Sequence, residues 1–285
     1  MSDATAVDFK LLTAEQQEFA ASYLNELEEI RDQKIEEIRQ WILKSEDLCA
    51  RTDDNFILYF LRGCKFKIDR TKWKLRNYHK QRATMTEWFL NRNPLLPHLV
   101  ELTNLGVFLP LRKLDDQGRM VIIIRAAVHD PNKHKFSDVI KIGKMILDVA
   151  TRDNVSVSLH GLIAILDLES VTLGHALQLT PNVVKQLVHS WQDCYPFRIG
   201  SLNFINAPMY VNVVLNVFKS FMSEKLRSRV VILRRGIAGR VSPDILPIEY
   251  GGTDGSIQDL KDYWKTVVEE NSGWFAESEK YKVIL

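Results

Sequence analysis

Few residue patterns in this sequence could carry chemistry. Asp167 and Glu169 stand two apart in an apolar run, and on a strand both would point to one face. Such a carboxylate pair suits general acid–base work. It equally suits bonding to backbone donors or to Lys and Arg at a strand end, and no nucleophile or metal-ligand companion stands nearby. Cys64 and Arg70 have the C-x5-R spacing of a phosphate-cradling thiolate loop. The residues between them, Lys65-Phe66-Lys67-Ile68-Asp69, contain no Gly, however, and Arg70 belongs to a helical pattern. Gly251-Gly252-Thr253-Asp254-Gly255 lacks dinucleotide-binding spacing, follows no strand and reads as a turn. The histidines, His79, His98, His129, His134, His160, His175 and His189, show no ligand spacing. Cys49, Cys64 and Cys194 form no CxxC pair. GxSxG, HExxH and Walker-type loops do not occur. The expectation is a protein without catalytic residues, metal or cofactor.

The elements that would position these residues fall into two textures. Residues 13–44 read as a helix with apolar positions at Phe19, Tyr23, Leu27, Ile30, Ile35, Ile38 and Ile42, breakable near Asn25. Thr52-Asp53-Asp54 caps a short helix that ends at Arg62-Gly63. A basic helix over 69–90 presents Trp73, Leu75, Tyr78, Met85, Trp88 and Phe89, and stops before Asn93-Pro94. Residues 1–95 are therefore a helical module. Beyond it, runs at 107–114 and 120–127 flank Asp115-Asp116-Gln117-Gly118, a hairpin signature. Helices follow at 137–151, 181–193, 209–222 and 257–270, with strands at 161–168, 202–205 and 230–233. Strands alternating with helices give an α/β fold whose sheet is mixed because of the hairpin.

Composition agrees with a globular chain. Of 285 residues, 46% are hydrophobic and 26% charged, too apolar for disorder. The length allows one to two domains. The formal net charge of +2 conceals blocks. Residues 1–50 carry net −7, residues 51–100 net +7, residues 101–195 net 0, residues 196–240 net +7 and residues 241–285 net −5. Two basic blocks in a neutral chain point either to an anionic partner or to pairing with the acidic blocks. Three free thiols suit a reducing compartment. Met1-Ser2-Asp3-Ala4 lacks the features of a secretory signal, and no apolar run spans a bilayer. The expected location is cytoplasmic.

The segment 209–222 holds the strongest signal. On a helical wheel Asn212, Asn216, Lys219, Ser220 and Ser223 form one narrow polar stripe. Val211, Val213, Val214, Leu215, Val217, Phe218, Phe221 and Met222 make the remainder apolar, where a surface helix has a wider polar face. Either the helix is buried core, or it has two apolar duties, lining a cavity inside and touching a membrane outside. Lys225, Arg227, Arg229, Arg234, Arg235 and Arg240 follow directly, as suits an anionic membrane surface. Nucleic acid is disfavoured, because no stacking aromatics are interleaved with that run.

Four segments in order resemble the CRAL-TRIO lipid-binding family, closest to its tocopherol- and retinaldehyde-carrying branch, over about residues 10–272. They are Phe60-Leu61-Arg62-Gly63-Cys64-Lys65-Phe66; Ile165-Leu166-Asp167-Leu168-Glu169; Tyr195-Pro196 with Asn203-Phe204-Ile205-Asn206-Ala207-Pro208; and Asp244-Ile245-Leu246-Pro247-Ile248-Glu249-Tyr250-Gly251-Gly252. The resemblance implies an N-terminal helical module (1–95), a lipid-binding domain with a mixed sheet, flanking helices and a mobile gate helix (96–255), and a C-terminal helix and tail (256–285). It implies pocket positions at Ile140, Leu147, Leu162, Leu166, Leu173, Leu179, Leu187, Trp191, Leu202, Val214 and Val217. Residues 209–222 look like the gate, with Val211, Leu215, Phe218, Phe221 and Met222 as its gate and membrane contacts.

By the same resemblance, Arg198, Lys225 and Arg229 match a phosphoinositide-binding cluster. Gly200 and Cys64 depart from it, standing where the tocopherol carriers have basic residues. Phe197 stands where phosphatidylinositol carriers place a Glu, which disfavours that cargo and favours a tocopherol, retinoid or carotenoid. The implied protein is a monomeric carrier of a small hydrophobic lipid, peripheral at phosphoinositide-containing membranes, with no nucleic-acid partner. The alternative is a lipid-responsive signalling or scaffold module without net transfer.

Overall fold

The computed structural model describes residues 7–209 and 211–285; the Met1–Ala4 reading and Tyr210 lie outside the described residues. Six helices come first: α1 (Ala14–Phe19), α2 (Glu28–Lys44), α3 (Asp54–Gly63), α4 (Ile68–Thr84), α5 (Thr86–Phe89) and α6 (Pro97–Leu105). Thr13 and Gln16 close a capping box on α1. The helix expected over 13–44 is broken where its sequence allows. A π-turn over Ala20–Leu24 ends at Asn25, whose φ of 60° lies in the left-handed region that Asn tolerates. The helix expected over 69–90 is also divided, at Met85. Asp53 caps α3 by accepting from the Phe56 amide at 3.0 Å.

Five strands make one mixed sheet in the order β1 (Phe108–Leu114), β2 (Met120–Arg125), β3 (Leu162–Asp167), β4 (Ile199–Ile205) and β5 (Val230–Ile232). The first pair is the expected antiparallel hairpin; the others pair in parallel. Between and after the strands run α7 (Phe136–Arg152), α8 (Val155–His160), α9 (Leu173–Gln178), α10 (Pro181–His189), α11 (Val211–Phe221), α12 (Glu224–Arg227), α13 (Ile257–Glu270) and α14 (Ser272–Ser278). Of these, α8, α9, α12 and α14 are short helices without a sequence-based expectation, as is α6 earlier in the chain.

The period-2 alternation of the strands divides the interior. Met120, Ile122, Leu162, Ala164, Leu202 and Phe204 face one core, shared with α10, α11 and the N-terminal helices. Val121, Ile123, Ile163, Ile165 and Ile205 face the other, shared with α6 and α13. The N-terminal helices are fastened to the sheet domain by close contact, by a hydrogen bond from buried Arg62 to Ser158 and by the buried Arg92–Asp148 ion pair. A Cβ on Gly63 would lie 1.8 Å from the Pro196 carbonyl oxygen, so only glycine permits this approach. Arg62 is wholly buried and donates to Glu26 at 2.7 and 2.8 Å, to the Phe9 carbonyl at 2.7 Å and to Ser158 Oγ at 2.9 Å. Arg92 donates to Asp148 at 2.5 Å.

These contacts divide the two basic blocks. Cations of the 51–100 block meet acids of residues 1–50: Arg62 with Glu26, Lys72 with Glu37 at 3.4 Å, and Arg76 with Asp47 at 2.6 Å. For that block, internal pairing accounts for much of the charge. In the 196–240 block, no carboxylate among the described residues pairs with Arg198, Lys225, Arg227, Arg229, Arg234, Arg235 or Arg240.

Candidate functional site

A cavity of about 230 Å³ lies between the sheet and α11. Its floor is Ile122, Leu162, Ala164, Leu166, Leu202 and Phe204; its walls include Ile140 and Leu147 of α7, Leu179, and Leu187 with Trp191; α11 covers it with Val211, Val214, Leu215 and Phe218. On α7 the lining residues Ile140, Gly143, Lys144 and Leu147 fall at i, i+3, i+4 and i+7, one face of the helix. Gly143 permits a close approach there, since a Cβ would meet the Phe108 ring at 2.4 Å.

Two expected pocket positions lie elsewhere. Leu173 is 71% exposed on the first turn of α9. Val217 is half-buried against the core but outside the lining, on the flank of α11 that turns away from the cavity. The five expected gate and membrane contacts are placed differently from their membrane reading. Val211, Leu215 and Phe218 line the cavity, Met222 is buried and Phe221 is half-buried against the core. The reason is periodicity: their positions form the single broad face opposite the polar stripe, and that face packs on the sheet domain. The exposed apolar side chains at this end are instead Val213 on α11, Met209 before it, and Leu173 and Leu177 on α9. Ala176 and Val211 line the cavity from the inner faces of the same two helices.

The turn after α10 holds the cover. Residues Ser190–Cys194 form a π-turn, a form frequent at functional sites. Trp191 stacks on Phe218 with centroids 5.8 Å apart and planes 6° from parallel. Gln192 accepts from the Ser223 amide at 3.0 Å and donates to the Phe221 carbonyl at 3.5 Å, gripping the C-terminal end of α11.

A few polar side chains interrupt the apolar lining. Tyr195 donates its hydroxyl to Asp148 at 3.2 Å. His175 uses both ring nitrogens, toward Thr172 and the His129 carbonyl. His129 meets Gln178 Oε1 at 2.9 Å, and burial lowers its pKa. Lys144 donates to Ser190 Oγ at 2.9 Å, and burial pushes its pKa down to about 7. Neither His129 nor Lys144 was singled out from sequence. Lys144 sits at the i+4 position from Ile140, on the lining face of α7, but that spacing does not tell a buried lysine from one that reaches out to solvent.

The carboxylates considered for acid–base work do not form a pair. Asp167 accepts from the Tyr250 hydroxyl at 2.6 Å, Asn206 Nδ2 at 2.8 Å and the Glu169 amide at 3.0 Å, whereas the Glu169 side chain is exposed. Nor do Cys64 and Arg70 form a thiolate loop. Cys64 is buried with its pKa raised by burial, and Arg70 lies over the Trp73 ring at 4.0 Å.

A second cleft opens beside α1 and the N-terminal ends of β4 and β5, lined by Tyr23, Arg119, His160, Arg198, Gly200 and Arg229 among others. Arg198 and Arg229 meet there; Lys225 is exposed on α12 and outside the lining. Arg198 donates one nitrogen to the Arg62 carbonyl at 3.0 Å, while its Nη2 is buried without a partner. Arg229 donates to the Ile199 carbonyl. A Cβ on Gly200 would sit 3.0 Å from Arg119 Nη1, so Arg119 brings a cation close to the position where the tocopherol carriers have a basic side chain. That cation is paired with Asp115 at 2.7 Å.

The comparisons with known proteins follow this geometry. A model of the CRAL/TRIO domain matches residues 104–252, and one of the Pinta-like UBA domain matches residues 27–99. The chain is similar to Clavesin-2 of Mus musculus, 29% identical over 245 residues that span 85% of this chain and 75% of that protein. It is 30% identical over 246 residues to Clavesin-1 of Pongo abelii, spanning 85% and 69% respectively. Among solved structures it is similar to the crystal structure of Sfh5, with a TM-score of 0.52 and 15% identity over 86% of this chain and 98% of that one, a likeness of fold.

Proposed function

The chain belongs to the CRAL/TRIO family of lipid-binding and transfer proteins, and from that premise we propose that it carries one small hydrophobic lipid in the cavity beneath α11 and exchanges it at an anionic membrane. The observation that carries the reading is the cavity itself, whose walls and floor are mainly apolar side chains from α7, α10, α11 and four strands. At roughly 25 cal/mol/Å², burying a few hundred Å² of ligand supplies several kcal/mol before ordering costs. The cargo we favour is of the tocopherol, retinoid or carotenoid class. The protein acts as a carrier rather than a catalyst, since the hydrogen bonds of Asp167 hold a loop and a tyrosine in place.

In this reading the protein works as a monomer in the cytoplasm, peripheral at membranes. Leu173, Leu177, Met209 and Val213 make the apolar rim that meets the bilayer. Arg198 and Arg229, with Lys225 outside their cleft, meet phosphoinositide headgroups; arginine is suited to bidentate phosphate contacts. Among the described residues no helix is long and apolar enough to cross a membrane.

Transfer between vesicles tests the proposal. Leu177→Asp combined with Val213→Asp places charges on exposed rim positions, where folding is little affected but insertion into lipid is costly. The expected outcome is loss of vesicle-to-vesicle transfer of a fluorescent tocopherol, with circular dichroism unchanged. Undiminished transfer by the double variant would contradict the membrane role of this rim.

A further inference from the structure

Lys144 is the feature of the cavity wall that a purely apolar cargo leaves unexplained. It is buried, lines the cavity, and has no carboxylate within ion-pair distance among the described residues. Its ammonium faces three rings, Trp88 at 5.2 Å, Phe89 at 4.8 Å and Tyr195 at 4.8 Å. Cation–π attraction offsets part of the cost of burying a charge, but it accepts no N–H bond. Its one hydrogen bond is to Ser190 Oγ, whose own proton goes to Gln81 Oε1. Two of its three N–H groups therefore have no acceptor among the described residues. The nearby acid Asp148 is taken by Arg92 at 2.5 Å and by the Tyr195 hydroxyl. One side of the ring cage, Tyr195, is itself part of the cavity lining, so the cage borders the space that cargo would fill.

We infer that Lys144 is the head-group anchor of the cargo, and that the cargo is a lipid ending in a carboxylate. The inference rests on the carrier reading and narrows its cargo: of the classes favoured there, the phenolic tocopherols and the carotenoid hydrocarbons are set aside and a retinoid-type acid remains. A carboxylate at this point supplies both missing acceptors and the missing counter-charge. A buried charge is tolerated when it is paired and hydrogen-bonded, and a charge-assisted bond is about twice as strong as a neutral one. The competing polar group is His129. The two N–H groups of Gln178 are committed to the Pro131 and His134 carbonyls, at 3.1 and 2.9 Å. Gln178 Oε1 therefore faces the histidine, whose Nε2 must carry the proton. The neutral ring then offers a lone pair at Nδ1, which has no partner and could receive only a donor such as a hydroxyl.

The test is competitive displacement of a fluorescent lipid from the delipidated full-length protein by oleic acid and by oleyl alcohol. The wild type is expected to bind the acid about tenfold more tightly than the alcohol, or better. In Lys144→Met, which keeps an unbranched apolar chain among the rings, that ratio falls to near unity. Cooperative thermal unfolding checks that the variant is folded, and the wild-type ratio needs no variant at all. Equal affinities in the wild type, or an acid preference that persists in Lys144→Met, would overturn the assignment alone. A preference for the alcohol that vanishes in His129→Phe would overturn it in favour of the histidine. Uptake of neither lipid would overturn the assignment and the carrier reading together.

Discussion

Arg198 directly precedes β4 and Arg229 directly precedes its parallel neighbour β5; Leu202 lies opposite Val230, so Arg229 stands beside Ser201, and its side chain reaches back along β4 to the Ile199 carbonyl, next to Arg198. Strand register thus converts two residues thirty-one positions apart into one cation pair. Lys225 shares their sequence block without sharing their cleft. Arg229→Ala should therefore weaken binding to phosphoinositide-containing vesicles about fivefold, from roughly 1 kcal/mol per basic group, and Lys225→Ala by less. Vesicle flotation at fixed salt measures both; equal losses, or none for Arg229→Ala, would contradict the cleft as the headgroup site. Charge could be counted along the chain, so the basic 196–240 block was legible from sequence, but whether acidic residues pair with it was not. Which of its members converge was not, because that depends on register between strands. Lys144 escaped notice for a related reason: a lysine among apolar residues reads as a surface position until the facing rings are known.

At the scale of elements, α11 and the π-turn Ser190–Cys194 work as cover and clasp. The apolar breadth of residues 209–222 was plain in the sequence, and so was its polar stripe. The direction of each face was not, because a wheel fixes angles among residues and leaves their orientation to the neighbours. Val211, Leu215 and Phe218 turn inward, and the exposed apolar rim falls to Val213 and to α9, a helix too short to show a period. The π-turn was also hidden, since an inserted residue shifts a helical pattern without interrupting it. Its clasp rests on the Trp191–Phe218 stack. Trp191→Leu keeps an apolar side chain but removes the stacking, a contribution of about 1 kcal/mol beyond burial. A bound fluorescent lipid should then dissociate about fivefold faster from the variant. An unchanged off-rate would show that the stack does not hold the cover closed.

Over the whole molecule the cavity is set into a continuous core. The same buried cluster holds Ile38 and Phe60 of the N-terminal helices, Leu162 and Phe204 of the sheet, and Leu215 of α11. Arg62 carries that continuity across the two parts by joining Glu26, the Phe9 carbonyl and Ser158. The architecture was largely legible from sequence, because strands buried on both faces and a Gly-closed hairpin announce a mixed α/β sheet. The size and polarity of the cavity were not, since a void is defined by side chains brought from α7, α10, α11 and four strands at once. Its occupant is the central claim. Mass spectrometry of organic extracts from natively purified protein measures it directly. A hydrophobic lipid in near-equimolar amount, headed by a carboxylate, is expected. A protein that yields no lipid, and takes none up when offered, would contradict it.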